Sequence, residues 1–176
     1  MDVSIPLLLE TERAGNRIGW VEATHYHQQS GWFPGRAAEY SEDVRSRLEA
    51  GTKVTATEYL EALEQREKFI GQLQEMMEAS KLDALVVPTV PMAAPAIGEE
   101  SIRIAKADHP TRALLLRLNR PANLAGVPAI SVPCGFTAAG LPVGLQFIGR
   151  ADGEEMLLSV ASAYQRSNGS NEHPNF

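Results

Sequence analysis

The sequence has few of the features that mark extracellular, nucleic-acid-binding or membrane proteins. Its single cysteine, Cys134, excludes an internal disulfide and fits a reducing compartment. The net charge is −6 and no basic block is present, which argues against nucleic acid and anionic membranes as partners. No apolar run approaches the roughly 20 residues of a membrane helix. We therefore expect a cytoplasmic chain that contacts neither nucleic acid nor membrane.

The sequence also lacks the common motifs of catalysis, metal binding and nucleotide binding. It has no Gly-x-Ser-x-Gly elbow, no Ser-x-x-Lys pair and no glycine-rich phosphate loop. His25 and His27 stand two residues apart, which on a helix places them on different faces and suits a shared metal poorly. Cys134 lies in an apolar run, and we interpret it as an inert buried thiol. We therefore predict no catalytic residue, no metal site and no cofactor on this chain.

Two apolar runs near the C-terminal end organise the sequence. The first, residues 127–136, is followed by the second, residues 143–148. The four residues 137–140 between them are short enough for a hairpin and provide Gly140 where a positive φ is needed. Neither run alternates cleanly between apolar and polar residues. This pattern favours strands that are covered on both faces inside a larger sheet.

The rest of the chain predicts helices and one more buried strand. The predicted helices cover residues 14–29, 40–50, 55–80 and 111–118, with a last helix from about residue 152. The longest begins with a capping box of Thr55 and Glu58. Its apolar stripe at spacings of three and four comprises Tyr59, Leu60, Leu63, Ile70, Leu73 and Met77. A continuous apolar run at 82–87 follows this helix, and a helix leading into a buried strand is typical of α/β proteins.

Four segments are predicted to lie outside the main helices and strands. Residues 88–98 carry three prolines, so we expect an ordered loop over one end of the sheet. Residues 99–110 are polar and are predicted to be a mobile connector. Residues 2–9 predict a strand end or a connector. The polar tail at 167–176 is expected to fray, which leaves residues 1–166 as the folded part.

Three motifs resemble the C-terminal part of the amidase signature family. They are D-A-L-V-V-P-T at Asp83–Thr89, the stretch from Asn123 to Gly135, and the stretch from Gly140 to Gly149, which precedes a helix begun by two glutamates. The upstream sequence is also similar, so the resemblance covers about residues 1–166. It implies an α/β fold, namely the C-terminal portion of the amidase signature fold with a mixed β-sheet flanked by helices.

The resemblance also implies a function. Members of the family hydrolyse amides, or pass ammonia to a partner, with a Ser–cis-Ser–Lys triad. The lysine and the serine-bearing loop lie N-terminal to everything matched here. The chain is thus expected to be a segment of an amide-bond hydrolase that contributes sheet strands and part of the pocket for a small amide. We expect no activity from the segment alone.

A second interpretation stays open at this stage. The chain could be a non-catalytic relic or an interaction module with the same partial fold. Under either interpretation, the three apolar strands need more cover than the helices of this chain provide. The expected partner is therefore a missing N-terminal half or a second copy of the chain.

Two residues are implied as substrate contacts. In the glutamyl-tRNA amidotransferases of this family, an arginine and an aspartate of this half hold the glutamine substrate. The arginine aligns with Arg47 and the aspartate with Leu116. Because the acid is replaced, the resemblance favours a general amidase over a glutamine-specific one. The alternative for Arg47 is a solvated charge on a helix surface.

Overall fold

The computed structural model describes residues 2–168. The α-helices are α1 (Thr11–Gln29), α2 (Glu42–Gly51), α3 (Ala56–Ala79), α4 (Thr111–Arg117), α5 (Arg120–Ala125) and α6 (Glu154–Asn168). The strands are β1 (Leu85–Pro88), β2 (Ser101–Ile104), β3 (Ala107–Pro110), β4 (Ala129–Phe136) and β5 (Pro142–Ile148). Short 3-10 helices cover Pro6–Glu10 and Ala37–Glu39. The chain divides into two compact units, Met1–Gln72 and Leu73–Phe176, with the boundary inside α3.

The first unit is built on the contact between α1 and α2. Ile18 and Leu48 are buried, and the buried hydroxyl of Thr24 donates a hydrogen bond to the carbonyl oxygen of Leu48 at 2.9 Å. Gly51 ends α2 at the point of closest approach. A Cβ on Gly51 would lie 2.2 Å from Thr24 Oγ1 and 2.3 Å from the carbonyl oxygen of Trp20. The two helices can therefore pack this closely only because residue 51 has no side chain.

The capping box that predicts the start of α3 is present. The backbone N–H of Thr55 donates to Glu58 Oε2 at 3.0 Å, and the N–H of Glu58 donates to Thr55 Oγ1 at 3.2 Å. The hydrogen bonds from the backbone and hydroxyl of Thr55 hold the pKa of Glu58 below its ordinary value. Both donors that would otherwise lack partners at this helix end are thereby satisfied.

The predicted apolar stripe of α3 is wrong in one place. Leu60 is 59% exposed, whereas Ala62, Phe69, Leu73 and Met77 are buried. The spacings of seven and four between these buried residues follow one face of a helix. Leu60 lies two residues before Ala62, about 200° away around the helix axis, so it points to the opposite side.

The sheet of the second unit has the strand order β1-β5-β4, with both neighbouring pairs antiparallel. The predicted hairpin between residues 127–136 and 143–148 is present as β4 and β5, with Ile130 opposite Phe147 and Val132 opposite Leu145. Gly140 takes a φ of 78° in the turn, as its position predicts. The predicted strand at 82–87 is present as β1, which pairs with the other edge of β5.

Cover on both faces of the sheet was predicted and is only partly observed. On one face, Val132 and Phe147 pack against Leu157 and Ala161 of α6. On the other face, Gln146 is only 4% exposed, but its neighbour on β4, Ser131, is exposed. The prediction is wrong for this part of β4. A continuous apolar run indicates a strand that can be covered on both faces, but it does not show whether the same chain provides the cover for both.

The mobile connector predicted at 99–110 is wrong. The segment forms the β2–β3 hairpin, in which Ile102 lies opposite His109 and Arg103 opposite Asp108. An ion pair of 3.3 Å joins Arg103 and Asp108 across the strands. The turn places Ala105 and Lys106 at positive φ, 49° and 71°. Alanine and lysine seldom adopt positive φ, and the sequence lacks the Asn-Gly pair that usually signals such a turn. The turn residues therefore gave no indication of a hairpin.

The ends of the described chain also differ from prediction. In the segment predicted as a strand end or connector at residues 2–9, residues 2–5 have no regular structure, and a 3-10 helix begins at Pro6, a position where the fixed φ of proline is accommodated. α5 has no predicted counterpart; it has Pro121 in its first turn and ends at Gly126, with a φ of 70°. α6 extends to Asn168, two residues into the predicted tail, and residues 169–176 of that tail lie outside the described part.

Candidate functional site

Arg47, the first predicted substrate contact, lies in the second half of α2. Its Nε donates to the carbonyl oxygen of Asp43 at 2.9 Å, and its Nη2 lies 2.5 Å from Asp43 Oδ2. The side chain is 26% exposed and is therefore neither buried nor fully solvated. The guanidinium is thus held by a carboxylate one turn earlier on its own helix. A substrate carboxylate would have to compete with Asp43 for it.

Leu116, the second predicted contact, lies in α4. Its side chain is half-buried, whereas its sequence neighbours Leu115 and Arg117 are exposed. The core residue of this helix is Leu114. A leucine side chain carries no charge, so this position offers nothing to a substrate ammonium group. Arg47 belongs to the first compact unit and Leu116 to the second. The pairing of these two residues in one pocket therefore stays a prediction.

A hydroxyl pair that the sequence did not predict lies across the sheet. Thr89 Oγ1 and Ser131 Oγ are 2.5 Å apart, and the N–H of Thr89 donates to the carbonyl oxygen of Gly144 at 2.9 Å. A Cβ on Gly144 would lie 2.6 Å from the Thr89 hydroxyl and 2.7 Å from that of Ser131. Gly144 of the third motif therefore leaves room for the hydrogen bond between Thr89 of the first motif and Ser131 of the second. The only indication of these residues in the sequence was that each lies in one of the three motifs.

Two more side chains, one in the third motif and one directly after it, connect the sheet to its neighbours. Gln146 Nε2 donates to the carbonyl oxygen of Leu118, just after α4, at 3.0 Å. Arg150 donates through Nε to the carbonyl oxygen of Leu82 at 2.9 Å and through Nη2 to that of Met77 at 3.1 Å. The second contact adds a hydrogen bond to a carbonyl near the C-terminal end of α3 that also accepts from the N–H of Leu82. Both side chains thus act in positioning the sheet.

Cys134 differs from the buried thiol that the sequence predicts. It is only half-buried, and its Sγ donates to the carbonyl oxygen of Val143 at 3.4 Å. Its position at a β-bulge between Pro133 and Gly135 explains the exposure, because a bulge displaces the strand from its regular alternation. Within residues 2–168, no group of three histidine, cysteine or acidic side chains could hold a metal ion. None of the helices in that range has the length and apolar character needed to span a bilayer.

The comparisons with known proteins assign the chain to a family. The family model described as Amidase matches residues 1–158. A fatty acid amide hydrolase of Medicago truncatula is 39% identical over 132 residues, which cover 75% of this chain and 21% of that protein. The A subunit of a glutamyl-tRNA(Gln) amidotransferase from Parvibaculum lavamentivorans is 38% identical over 162 residues, which cover 88% of this chain and 30% of that protein.

The structural comparison gives the same result. A crystal structure of an amidase superposes with a TM-score of 0.87 at 28% identity, covering 95% of this chain and 37% of that chain. The described residues form an α/β fold with helices and two small antiparallel sheets, and this fold matches that of the amidase. The chain belongs to the amidase family, as its motifs predict. It spans 21% and 30% of the length of the two curated relatives named above.

Proposed function

We propose that this chain is the C-terminal segment of an amide-bond hydrolase of the Ser–cis-Ser–Lys type. In this role it contributes sheet strands and part of the pocket for a small amide substrate, and it has no activity alone. The observation that carries the proposal is the family match over residues 1–158 together with the small share of each relative that the chain spans. The serines and lysine of the triad would come from the N-terminal part of the fold.

The same proposal fixes the organisation of the chain. Residues 1–166 would form one part of the amidase domain, and residues 167–176 its polar tail. The partner would be the N-terminal half of the fold or, in its absence, a second copy of the chain. A cytoplasmic location goes with the proposal, since the only cysteine is a free, half-buried thiol.

The direct test is an amidase assay on two polypeptides. One is this chain alone, and the other is this chain preceded by an N-terminal amidase part that carries the triad. We expect turnover of small amides by the longer polypeptide only, because the serines and the lysine of the proposed triad would lie in its N-terminal part. Replacing the nucleophilic serine of the longer polypeptide with alanine is the control for contaminating activity.

The possible outcomes separate the two interpretations of the chain. Turnover by the isolated chain would contradict the proposal that the triad lies elsewhere. Inactivity of both polypeptides, with the longer one folded, would favour the non-catalytic relic or interaction module. Circular dichroism of both polypeptides establishes whether they are folded before the assays are compared.

A substitution of Arg47 tests its predicted contact with substrate. In an active enzyme that contains this chain, Arg47→Ala is expected to raise KM for acidic amides by at least about tenfold and to change KM for neutral amides little. The reason is that a charge-assisted hydrogen bond to a substrate carboxylate contributes about 1.5–3 kcal/mol. Steady-state kinetics on matched acidic and neutral amides measure the difference.

Asp43→Asn is the matched variant for this experiment. It keeps the size of the side chain that now holds Arg47 and removes its charge, so the guanidinium becomes available to substrate. We expect it to lower KM for acidic amides, the opposite of Arg47→Ala. Equal effects of Arg47→Ala on acidic and neutral amides would make Arg47 a surface charge. Substrates with a free α-ammonium group should gain little, because Leu116 offers that group no counter-charge.

A further inference from the structure

The turn after α1 leaves a tryptophan on the surface. The backbone N–H groups of Trp32 and Phe33 both donate to the carbonyl oxygen of His27, at 3.1 and 3.2 Å, so the chain folds back on the end of the helix. Phe33 is buried at 7% exposure, whereas Trp32 is 42% exposed. The N–H of Arg36 then donates to the carbonyl oxygen of Trp32 at 2.8 Å. The turn thus buries one aromatic ring and holds its neighbour outside.

Three further rings support Trp32 in this position. His27 packs against Trp32 and Tyr40 with ring centroids 5.8 and 5.3 Å apart. His27 Nδ1 and the hydroxyl of Tyr40 are 2.9 Å apart, within hydrogen-bond distance. Tyr26 meets the ring of Trp32 at 82°, with the centroids 6.3 Å apart. The Tyr26–Trp32 and His27–Tyr40 contacts are edge-to-face, which favours a defined ring orientation, so the aromatic surface is preorganised.

Within residues 2–168, a cleft of about 270 Å³ is lined by Trp32, Tyr40, Arg36 and Glu39. This volume accommodates a group as large as tetramethylammonium. The cleft is open, and two aromatic rings of its lining are partly exposed to solvent. Exposed aromatic side chains held in a fixed orientation are a recurrent feature of binding sites.

The two charged residues of the cleft bind each other. Arg36 Nε donates to Glu39 Oε1 at 2.8 Å, and Arg36 Nη2 donates to Glu39 Oε2. The hydrogen bonds from Arg36 hold the pKa of Glu39 below its ordinary value, so the carboxylate stays ionised. An anionic ligand would have to displace Glu39 from Arg36. A cationic ligand can approach the ring faces, which carry negative potential, and the outer lone pairs of a carboxylate whose charge Arg36 partly offsets.

We infer that the cleft binds a compact organic cation, such as a quaternary ammonium group, between the rings of Trp32 and Tyr40 and beside the carboxylate of Glu39. Two aromatic faces and one carboxylate are the groups that recognise such cations in proteins. The site is independent of the proposed amide chemistry, because none of its residues is assigned a part in that chemistry. Its test therefore requires only the chain itself.

Tryptophan fluorescence provides a direct test. The chain contains Trp20 and Trp32, so a Trp20→Phe background leaves Trp32 as the reporter. Tetramethylammonium chloride is titrated against sodium chloride at equal ionic strength, and tert-butanol serves as the uncharged analogue of similar shape. We expect a saturable change with tetramethylammonium at millimolar concentration and none with tert-butanol. An equal response to both, or the absence of saturation, would overturn the inference.

Two charge variants of the cleft are expected to shift the Kd for tetramethylammonium in opposite directions. Glu39→Gln is expected to raise the Kd for tetramethylammonium about threefold, because it removes the anion. Arg36→Gln is expected to lower the Kd by a similar factor, because it frees the carboxylate from its partner. Lys53→Gln, which removes the same charge at another exposed position, should leave the Kd unchanged. Shifts of the first two variants in the same direction would overturn the inference.

Variants of Tyr40 distinguish a missing ring from a misfolded turn. Tyr40→Leu removes one wall and should raise the Kd at least about threefold, whereas Tyr40→Phe keeps the ring and should bind nearly as the parent chain does. Circular dichroism and the emission maximum of Trp32 identify any variant whose turn has changed. Loss of binding in Tyr40→Phe with both signals unchanged would also contradict the proposed contact with the ring face.

Discussion

Replacing Gly51 with alanine is expected to lower the free energy of unfolding by about 3 kcal/mol, at the upper end of the range for overpacked sites. The new Cβ would lie 2.3 Å from the carbonyl oxygen of Trp20, a backbone atom that no rotamer change can move. It would also lie 2.2 Å from Thr24 Oγ1, whose hydroxyl bonds to Leu48. The two helices would have to separate. Urea unfolding followed by circular dichroism measures the loss.

Gly19→Ala is the matched control for this prediction. Gly19 lies in α1, in the same compact unit, and a Cβ there meets no other atom within 4 Å. In a helix interior, alanine is more favourable than glycine by about 0.5–1 kcal/mol, so Gly19→Ala is expected to stabilise the chain. A Gly51→Ala chain as stable as the parent would show that α1 and α2 do not depend on this close approach. Both variants are compared at a concentration where sedimentation finds one species.

The elements that the sequence predicted correctly are those stabilised by residues that lie close together in the chain. Thr55 and Glu58 form the capping box that begins α3, and both bonds of the box connect residues three apart. The β4–β5 hairpin follows from two apolar runs and Gly140, which takes the positive φ that the turn requires. The motif match likewise predicted the family, because the paired Pro, Gly and Gln positions are specific.

Long-range and weakly encoded features were not predictable in the same way. The β2–β3 hairpin has one charged pair, Arg103 and Asp108, among its four cross-strand pairs, and its turn places Ala105 and Lys106 at positive φ. Neither residue type signals such a turn. The buried stripe of α3 is decided by what covers the helix, so Leu60 could not be assigned from spacing alone.

The site residues show the same division. The contact of Arg47 with Asp43 was available from the sequence, because residues four apart on a helix are neighbours. The hydroxyl pair of Thr89 and Ser131 was not, since the two residues are 42 positions apart and meet only once the register with Gly144 is fixed. Sequence motifs identified these residues without indicating that they bind one another.

The outer edge of β4 affects whether the isolated chain associates with other copies. The N–H of Gly149 donates to the carbonyl oxygen of Pro128 across the β4–β5 pair. Because an antiparallel ladder alternates, the N–H groups of Ala129 and Ser131 point to the open side of β4. Pro133 takes the next outward position and has no N–H to offer. The open stretch of this edge is therefore short, as is common for edges that limit unwanted pairing.

Exposed apolar side chains of the same unit increase the tendency to associate. Val86 on β1 is 55% exposed, and Leu158 on α6 is 60% exposed. We expect the isolated chain to form dimers or larger species at micromolar concentration and to bind a hydrophobic dye when dilute. Sedimentation velocity measures the size, and dye fluorescence measures the accessible apolar surface. A monomer that leaves the dye dark would show that the chain covers its own core.

Ala129→Pro tests whether the β4 edge carries this association. It removes an outward N–H and leaves the bonds to β5, because Ala129 occupies a position that does not bond to that strand. We expect at least about a tenfold weaker association, from the loss of a strand pairing worth more than about 1.4 kcal/mol. Ala129→Val keeps the N–H and should associate as the parent chain does. Unchanged association of Ala129→Pro would instead assign it to the apolar surfaces that include Val86 and Leu158.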